Sequence, residues 1–408
     1  IIGYLSTGQI KGIGPKLAER IYSAFGNETL NVLDNSPEKL TSISGISQTK
    51  LKKICDSYLA NRGARDFIAF LTPYGITPNR AIRLYKEYGN EAMDIVKQHP
   101  YKLCELAGIG FKTADKIAKN MGFDVLSAER ISQGILYTLT DAETKGHICI
   151  EKSNFVKECL KILDTPEITE GMIGKYANEL IRNQKIYVYD ECLYSSRTYT
   201  AEKMLAVYIK SQISINQNYS YSNLERELNM EEKTLRIKFA PEQREAVKTA
   251  LINGLSIITG GPGTGKTMIQ KAILDIYSRN NPGKIICCCA PTGRAARRME
   301  ESTGYSSSTI HKTLCLMAGE DGEYGTPESI DADLVLVDEA SMLDIYLAGK
   351  LFSALKPQTQ IVFVGDADQL PSVGPGAVLS EMIACGRIPT IRQVGGQAVL
   401  GRQGSLTT

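Results

Sequence analysis

Eight residues, 260–267, constrain the fold of this chain more than any other stretch, because their sequence GGPGTGKT is a phosphate-binding pattern. They follow an apolar run at 255–259 and precede a helical pattern at 268–277. Strand, glycine-rich loop and helix in this order form the context that a P-loop requires. The loop residues that the pattern assigns to a nucleotide are Gly261, Pro262, Gly263, Thr264, Gly265, Lys266 and Thr267.

Each residue type in this loop has a chemical role. Glycines let successive backbone N–H groups turn inward around the phosphates, and the helix that follows adds the positive end of its dipole. Lys266 is predicted to reach the β- and γ-phosphates, and the Thr267 hydroxyl to bind Mg²⁺. The alternative, a glycine-rich turn beside a chance Lys-Thr pair, leaves the flanking strand and helix unexplained.

The composition argues against a membrane protein and against a zinc or disulfide scaffold. No apolar run approaches the ~18 residues of a membrane span, and the ten cysteines show neither a CxxC pair nor a Cys/His spacing suited to zinc. We therefore expect a cytoplasmic protein without a structural metal. A length of 408 residues predicts two to four domains, and a first residue other than Met predicts a piece of a longer protein.

The front of the chain is duplicated. Residues 10–55 and 73–118 align without a gap at a constant offset of 63 residues, so that Gly12 aligns with Gly75. So many matches at one offset indicate a tandem repeat. Residues 1–126 carry 17 Lys and Arg against 12 Asp and Glu, whereas the whole chain has a net charge of +2. A basic front end suits an anionic partner such as nucleic acid, although a solvated surface explains the charge equally well.

Each copy contains two Gly-Ile turns followed by an amphipathic helix, and these resemble the helix-hairpin-helix DNA-binding motif. The glycine permits the tight turn, the isoleucine anchors it, and N–H groups at the next helix start can hold a DNA phosphate. Such contacts position a protein on DNA without reading its sequence. A plain helical hairpin is the alternative for any single copy. The residues predicted to contact DNA here are Gly12, Gly14, Lys16, Gly45, Lys50, Gly108, Gly110 and Lys112.

Residues 127–200 are predicted to form a small mixed module and residues 201–238 a polar helical connector. In the module, three helical patterns precede two short alternating runs at 185–189 and 192–194, which suggests a winged-helix-like fold. Such modules bind DNA or pack between domains, and the sequence leaves both possibilities open.

Polar residues recur at the ends of the strands that are predicted after the connector. Gln243 precedes the P-loop strand, and its amide can bond both the donor and the acceptor edge of an adenine. A second strand is predicted at 284–289, and the loop-to-helix step after it offers N–H groups and an arginine to a nucleic-acid backbone. The segment 308–312 then clusters hydroxyl, imidazole and ammonium donors. The residues predicted to contact DNA there are Pro291, Thr292, Arg294, Thr309 and His311.

Two later strands deliver acids and an amide to the same sheet edge. The apolar run at 334–337 ends in Asp338 and Glu339. Asp338 is predicted to hold Mg²⁺, and Glu339 to orient or deprotonate the attacking water. The run at 361–364 leads to a loop in which Gln369 is predicted to sense the γ-phosphate. The catalytic set is therefore Lys266, Glu339 and Gln369.

In this order the segments GGPGTGKT, APTGRAA, STIHKTL, LVLVDEASMLD and VFVGDADQLPSVGPGAVL resemble superfamily 1 DNA helicases, and most of all the RecD-like branch in its long form with a helix-hairpin-helix front end. The resemblance covers nearly the whole chain. It implies a multidomain fold: an all-helical tandem helix-hairpin-helix domain (1–126), a winged-helix-like module (127–200), the connector (201–238), and a RecA-like P-loop domain with a parallel sheet (239–391).

The resemblance also implies an activity and its partners. These are ATP and Mg²⁺ as cofactors, and 5′→3′ movement on single-stranded DNA and at junctions with duplex DNA. The sequence does not give the oligomeric state, for which a monomer is favoured. Residues 392–408 depart from the family pattern, since a second motor domain is expected to follow there. The alternative for this chain is a nucleotide- and DNA-binding scaffold without productive turnover. A different P-loop ATPase is the third hypothesis, and Gln243 and the loop at 365–371 argue against it.

Overall fold

The computed structural model describes residues 1–6, 10–60, 62–105, 109–214, 221, 223–316, 325–369, 372–393 and 399–400. The chain divides into two compact units. Unit 1 comprises Ile1–Tyr137 and Leu163–Thr169, and unit 2 comprises Thr138–Ile162 and Glu170–Thr408.

The described part of unit 1 is helical throughout. Its α-helices are α1 (Ile2–Leu5), α2 (Pro15–Phe25), α3 (Thr29–Asn35), α4 (Gln48–Ala60), α5 (Arg62–Leu71), α6 (Pro78–Tyr88), α7 (Ala92–Gln98), α8 (Phe111–Asn120) and the first part of α9 (Ala128–Thr144). Short 3₁₀ turns lie between them at Gly26–Glu28, Pro37–Ser42, Thr72–Tyr74, Gly89–Glu91 and Pro100–Glu105.

The duplication that the sequence predicts is visible in these bounds. Helices α2 and α6, the two Gly-Asn-Glu turns, and helices α3 and α7 begin at equivalent positions of the two copies. In the Gly-Ile turns, Ile13, Ile46, Ile76 and Ile109 are all buried, exposing 2–6% of their surface. The isoleucines therefore anchor the turns, as the physical argument from the sequence requires.

A buried ion pair holds the start of α9 in unit 1. Arg130 exposes 1% of its surface, and its Nε lies 2.7 Å from Oδ1 of Asp115 on α8. Its other N–H groups donate to the Leu163 carbonyl at 2.7 Å and to the Thr165 hydroxyl at 3.0 Å. Because these bonds tie α9 to α8, the domain boundary predicted after residue 126 falls inside unit 1.

Unit 2 begins with a small sheet and the helices around it. Strands β1 (Cys149–Glu151), β3 (Cys192–Ser195) and β2 (Ile186–Tyr189) pair antiparallel in that order. The chain passes α10 (Lys152–Leu163) and α11 (Glu170–Arg182) before the β2–β3 hairpin. The helices thus precede the hairpin along the chain, and the winged-helix-like module predicted for residues 127–200 stays a prediction.

Four elements lead from this sheet to the P-loop. They are α12 (Ser196–Ser214), α13 (Leu224–Leu235), β4 (Ile237–Lys238) and α14 (Pro241–Ile252). A two-residue strand, β11 (Val399–Leu400), pairs antiparallel with β4. Helix α12 starts five residues before the predicted connector, and it packs along the helix Ile345–Ala354, named α18 below.

The main sheet has six strands in the order β10-β5-β9-β8-β6-β7, and every neighbouring pair is parallel. The strands are β5 (Leu255–Gly260), β6 (Ile286–Ala290), β7 (Ser307–Thr309), β8 (Leu334–Val337), β9 (Gln360–Gly365) and β10 (Thr390–Gln393). The helices between them are α15 (Lys266–Asn280), α16 (Gly293–Thr303), α17 (Ile310–Thr313), α18 (Ile345–Ala354) and α19 (Val378–Ala384).

The core of unit 2 lies on both faces of this sheet. Every residue of β5, β8 and β9 is buried, which explains why these strands are nearly unbroken apolar runs in the sequence. Loops that leave the carboxyl ends of such strands meet at one edge, where ligands bind in open parallel sheets. Among the described residues, no helix combines the length and the apolar character that a membrane span needs.

Candidate nucleotide and nucleic-acid site

The P-loop joins the end of β5 to the start of α15 at the carboxyl edge of the sheet. Gly265 has φ +86°, a left-handed conformation that side chains rarely adopt. A Cβ atom at Gly265 would lie 2.5 Å from Nε2 of Gln243. The Thr264 hydroxyl donates to the Gly261 carbonyl at 2.9 Å, which closes the loop on itself. The glycine is therefore needed for its backbone angle and for close packing.

The Lys266 ammonium points back over the loop. Its Nζ donates to the carbonyl of Gly260 and, at 2.9 Å, to that of Gly261. Phosphate oxygens are stronger acceptors for an ammonium than carbonyl oxygens are. The side chain thus already lies where a nucleotide's phosphates would meet the backbone N–H groups of the loop.

Gln243 supports the loop from beneath. It exposes 1% of its surface. Its Nε2 donates to the Thr264 carbonyl at 3.0 Å, and its Oε1 accepts from the Ala240 N–H at 3.0 Å. The same amide therefore caps the start of α14 and positions the P-loop. The adenine contact expected from the sequence stays a prediction, and it requires the amide to exchange these hydrogen bonds for bonds to the base.

Replacing Gln243 by alanine should weaken ATP and GTP binding by the same factor, about fivefold, the effect of one net hydrogen bond. The reason is that both nucleotides use the P-loop that the Gln243 amide holds at Thr264. Titration of both nucleotides into the purified variant measures the two affinities. A loss confined to ATP would contradict this expectation and would show that the amide reads the base instead.

Asp338 and α15 are joined by a side-chain hydrogen bond. Nε2 of Gln270 donates to Oδ1 of Asp338 at 2.7 Å. Burial raises the pKa of Asp338 above its usual 3.8, and the negative charge of Glu339 raises it further, against the opposing effects of the Glu339 N–H, Gln270 and Lys266. A cation beside Asp338 would favour the charged carboxylate, because its positive charge offsets the cost of burying the negative one.

The residues present fit a magnesium ion. Thr267 lies one helical turn before Gln270, so both side chains occupy the same face of α15. That face meets Asp338 through the Gln270 bond. A hydroxyl, one carboxylate and phosphate oxygens are the ligands that Mg²⁺ prefers in nucleotide sites. Within the described ranges, no group of three or more His, Cys, Asp or Glu is placed to hold a metal.

Glu339 has an unusual backbone conformation. Its φ is +51° and its ψ +40°, which is the left-handed region. A non-glycine residue there costs of order 1–3 kcal/mol and is found most often where function requires it. The turn at Glu339 ends β8 abruptly and starts a short 3₁₀ helix, Ala340–Met342. The backbone of Asp338 stays in the sheet, since its N–H donates to the Cys289 carbonyl at 3.0 Å.

The loop that contains Gln369 leaves the sheet next to the P-loop strand. Strands β5 and β9 are neighbours, with Thr259 opposite Gly365. The Thr259 hydroxyl accepts a hydrogen bond from the Ala367 N–H at 3.1 Å, and the Gln369 N–H donates to the Asp366 carbonyl at 3.2 Å. Gln369 is exposed. The next two residues of the loop, 370 and 371, lie outside the described residues.

The predicted DNA contacts of unit 2 lie together on the two outermost loops of this edge. Ala290 at the end of β6 pairs with Thr309 at the end of β7. Thr292 and Thr309 both cap helices, accepting from Ala295 N at 3.2 Å and from Lys312 N at 3.2 Å. The sequence therefore brings Pro291, Thr292, Arg294, Thr309 and His311 to one side of the sheet, with Arg294 exposed and the other four half-buried.

The predicted DNA contacts of unit 1 lie at its hairpin turns. Gly12 and Gly45 have φ of +103° and +97°, and Gly14 and Gly110 are the residues before α2 and α8. Lys16 and Lys112 are exposed. Lys50 differs, because its Nζ donates to the Gly45 carbonyl of its own turn at 3.1 Å. Gly108 lies outside the described residues.

Sequence reasoning did not identify three residues that contact the site. Gln270 bonds Asp338, Thr259 joins the P-loop strand to the Gln369 loop, and Gln393 on β10 packs beside Gly260. Only Gln270 had a usable signal, since it falls one helical turn after Thr267. The other two contact the site across neighbouring strands, which a single sequence does not reveal.

Three family descriptions match parts of the chain. Residues 6–57 match the SAM-like helix-hairpin-helix tandem, and residues 60–149 match the HHH domain of the ATP-dependent RecD2 DNA helicase. Residues 243–375 match the AAA domain. The first two matches cover the two copies of the repeat, and the third contains the P-loop and the Asp338, Glu339 and Gln369 loops.

The chain is also similar to individual proteins. The ATP-dependent RecD2 DNA helicase of Deinococcus radiodurans is 30% identical over 396 residues, which are 94% of this chain and 54% of that protein. The RecBCD enzyme subunit RecD of Haemophilus influenzae is 34% identical over 220 residues, which are 47% of this chain and 33% of the subunit. The chain thus spans about half the length of the first relative and a third of the second.

Among solved structures, Pif1 helicase from Candida albicans is 23% identical. The likeness covers 39% of this chain and 41% of that one, with a TM-score of 0.29.

Proposed function

Because this chain belongs to the RecD-like branch of superfamily 1 helicases, we propose that it carries the first motor domain and the DNA-binding front end of an ATP-dependent 5′→3′ DNA helicase. The proposed substrates are ATP with Mg²⁺, and single-stranded DNA or its junction with duplex DNA.

One observation carries this proposal. The P-loop lysine, the Asp338 and Glu339 pair and the Gln369 loop all leave the carboxyl edge of one parallel sheet, on the neighbouring strands β5, β9 and β8. Phosphate cradle, metal carboxylate, general base and γ-phosphate sensor are the parts that phosphoryl transfer to water requires. Their convergence is difficult to explain for a protein that only binds DNA.

Each residue has a defined part in hydrolysis. Lys266 and the loop N–H groups bind the β- and γ-phosphates, and Thr267 with Asp338 would hold the magnesium ion that neutralises their charge. Glu339 accepts a proton from water as the water oxygen bonds to the γ-phosphorus. The bond from that phosphorus to the bridging oxygen breaks, leaving ADP and inorganic phosphate. Gln369 contacts the γ-phosphate, so its loop changes position between the two nucleotide states.

The DNA contacts use two different surfaces. In unit 2 the helix starts and donors from Pro291 to His311 would follow a single strand. In unit 1 the hairpin turns would hold the phosphates of DNA without reading bases. The exposed Lys16 and Lys112 add charge at two of these turns.

The test is the ATPase activity of this chain at saturating ATP and Mg²⁺, with no DNA, with single-stranded DNA and with blunt duplex. We expect stimulation by single-stranded DNA well above that by duplex. Equal rates in all three conditions would contradict coupling between the nucleotide and DNA sites. Binding of both ligands without any turnover would identify a nucleotide- and DNA-binding scaffold instead.

A further inference from the structure

The helix that follows the P-loop reaches Asp338 through a buried amide. Gln270 lies early in α15 and exposes 2% of its surface. Its Nε2 donates to Oδ1 of Asp338 at 2.7 Å, across 68 positions of the chain. Asp338 directly follows β8. The bond therefore joins the phosphate-binding helix to the carboxylate that is proposed to hold magnesium.

The position of the Gln270 amide is fixed by the packing around it. Ile269 and Ile273 of the same helix belong to one buried cluster with Leu336 of β8. Fixing a long polar side chain in such a place costs conformational entropy, and its donor must be paired there. An amide turned away from Asp338 would leave that donor in apolar surroundings. The hydrogen bond to Asp338 is thus the arrangement that the surrounding core favours.

A second donor reaches the same carboxylate from the backbone. The N–H of Glu339 donates to the side chain of Asp338. Glu339 is the residue with φ +51° and ψ +40°, so the strained turn after β8 supplies this donor. Asp338 is half-buried and keeps some contact with solvent. Its carboxylate is therefore held by two rigid elements, α15 and the turn, and is not sealed inside the core.

Both donors are neutral, and this property is the one that a cation site requires. An ammonium or guanidinium beside Asp338 would form an ion pair and compete with a metal ion for the carboxylate. An amide or a backbone N–H orients the oxygen and leaves the negative charge to the metal. Lys266, the cation of the P-loop, donates instead to the carbonyls of Gly260 and Gly261.

We propose that Gln270 is a positioning residue for the magnesium ion, because it orients the Asp338 carboxylate towards Thr267 without neutralising its charge. The inference rests on the proposed function, which assigns the metal to Thr267 and Asp338. Thr267 precedes Gln270 by one helical turn, so both project from one face of α15. That face then supplies one metal ligand and the donor that orients the other. Replacing a residue that hydrogen-bonds a metal ligand typically costs about 10–100-fold in metal affinity.

The test measures how strongly Mg²⁺ tightens nucleotide binding to the whole chain, without any turnover. The affinity for a fluorescent ADP is titrated once at saturating Mg²⁺ and once in EDTA. The ratio of the two affinities is the contribution of the metal. Gln270→Met keeps the length of the side chain but has no donor. It should lower the ratio by about tenfold and leave the affinity in EDTA unchanged.

Gln270→Lys distinguishes positioning from simple support of the helix. Lysine keeps a donor for Asp338, so a contact that only joins α15 to β8 would survive the change. Its charge should instead displace the metal from the carboxylate, and the ratio should again fall by about tenfold. Lys271→Met is the matched control, because Lys271 bonds Asp275 and the Thr303 carbonyl. It should leave the ratio unchanged, and thermal melts identify any variant that is unfolded.

A double-mutant cycle shows whether Gln270 acts through Asp338. Asp338→Asn removes the charge that binds the metal, so it should lower the ratio at least as much as Gln270→Met does. Adding Gln270→Met to Asp338→Asn should then have no further effect on the ratio. Losses that simply add would show that Gln270 acts on another part of the site, and would overturn the inference.

The remaining outcomes separate this inference from the proposed function. If Gln270→Met and Gln270→Lys keep the full ratio, the positioning role is wrong and the proposed function stands. The same holds if both variants lose affinity equally with and without metal, because Gln270 then only supports the P-loop. If Mg²⁺ does not tighten ADP binding to the unmodified chain, the metal assignment fails and the inference fails with it. If ADP does not bind at all, the proposed function itself is wrong.

Discussion

Replacing Glu339 by glutamine should lower the kcat for ATP hydrolysis by about 10²–10⁴-fold while leaving the affinity for ATP nearly unchanged. Glutamine has the size of glutamate and donates or accepts hydrogen bonds, but it does not take a proton from water at neutral pH. The effect therefore falls on the chemical step alone. Phosphate release at saturating ATP gives kcat, and equilibrium titration with a fluorescent nucleotide gives the affinity.

The backbone conformation at Glu339 is not expected to change when glutamate is replaced by glutamine. The residue has φ +51°, and glutamine carries the same strain there as glutamate does. A change in folding is therefore not expected to accompany the loss of activity. Unchanged kcat in Glu339→Gln would show that another group activates the water.

Lys266→Ala should be compared with Glu339→Gln, because it tests nucleotide binding instead of the chemical step. Lys266 is proposed to touch the phosphates in the ground state, so its loss should remove nucleotide binding as well as turnover. Glu339→Gln and Lys266→Ala thus separate binding from chemistry. If Lys266→Ala bound ATP normally, the P-loop assignment itself would be wrong.

The second large effect is expected in unit 1. Arg130→Met should destabilise the region around α8 and α9 by about 3–5 kcal/mol, the usual cost of leaving one partner of a buried ion pair alone. Arg130 is 1% exposed and bonds Asp115, Leu163 and Thr165. Its removal leaves the Asp115 carboxylate with the Tyr101 hydroxyl at 2.7 Å and the partly exposed Lys119 at 3.0 Å.

Hydrogen exchange measured on the whole chain gives the local free energy of opening for residues 111–137, without assuming that unit 1 folds alone. Lys119→Ala is the control, since it removes an exposed partner of the same carboxylate and should cost no more than about 1 kcal/mol. Equal effects of the two substitutions would contradict the central role of Arg130.

The Arg130–Asp115 ion pair makes the stability of unit 1 depend on pH. Burial alone raises the pKa of Asp115, but hydrogen bonds from Arg130, Tyr101 and Lys119 outweigh it and lower the pKa below 3.8. A group with a depressed pKa in the folded state stabilises the fold above its unfolded pKa. This stabilisation is therefore complete at neutral pH and is lost as the pH falls below about 4. In Arg130→Met the acid sensitivity of exchange in this region should decrease.

The fold class was predictable because its signals are local. The matches to helix-hairpin-helix and AAA families confirm a helical front end followed by a P-loop unit, and four of the six parallel strands, β5, β6, β8 and β9, agree with the apolar runs that indicated them. The runs of β5, β8 and β9 lead into loops with polar residues, so the meeting of Lys266, Asp338 and Gln369 at one edge follows from parallel pairing alone. The roles of the individual site residues stay predictions.

What the sequence did not reveal are contacts between distant segments. Arg130 looks like an ordinary helix-surface charge until α8 is packed beside it. The packing that places the start of α9 in unit 1 is likewise a contact between distant segments. The role of Gln243 was also not decided by the sequence, because a glutamine amide can bond either an adenine or the backbone of the P-loop.

The side-by-side position of β5 and β9 has a consequence for timing. One hydroxyl, that of Thr259, lies between the phosphate-binding strand and the sensor loop. A shift of about an ångström at either end would reach the other through this bond, with no intervening helix to absorb it. If Gln369 senses the γ-phosphate as proposed, the occupancy of the P-loop and the position of the loop after β9 would therefore be coupled through Thr259.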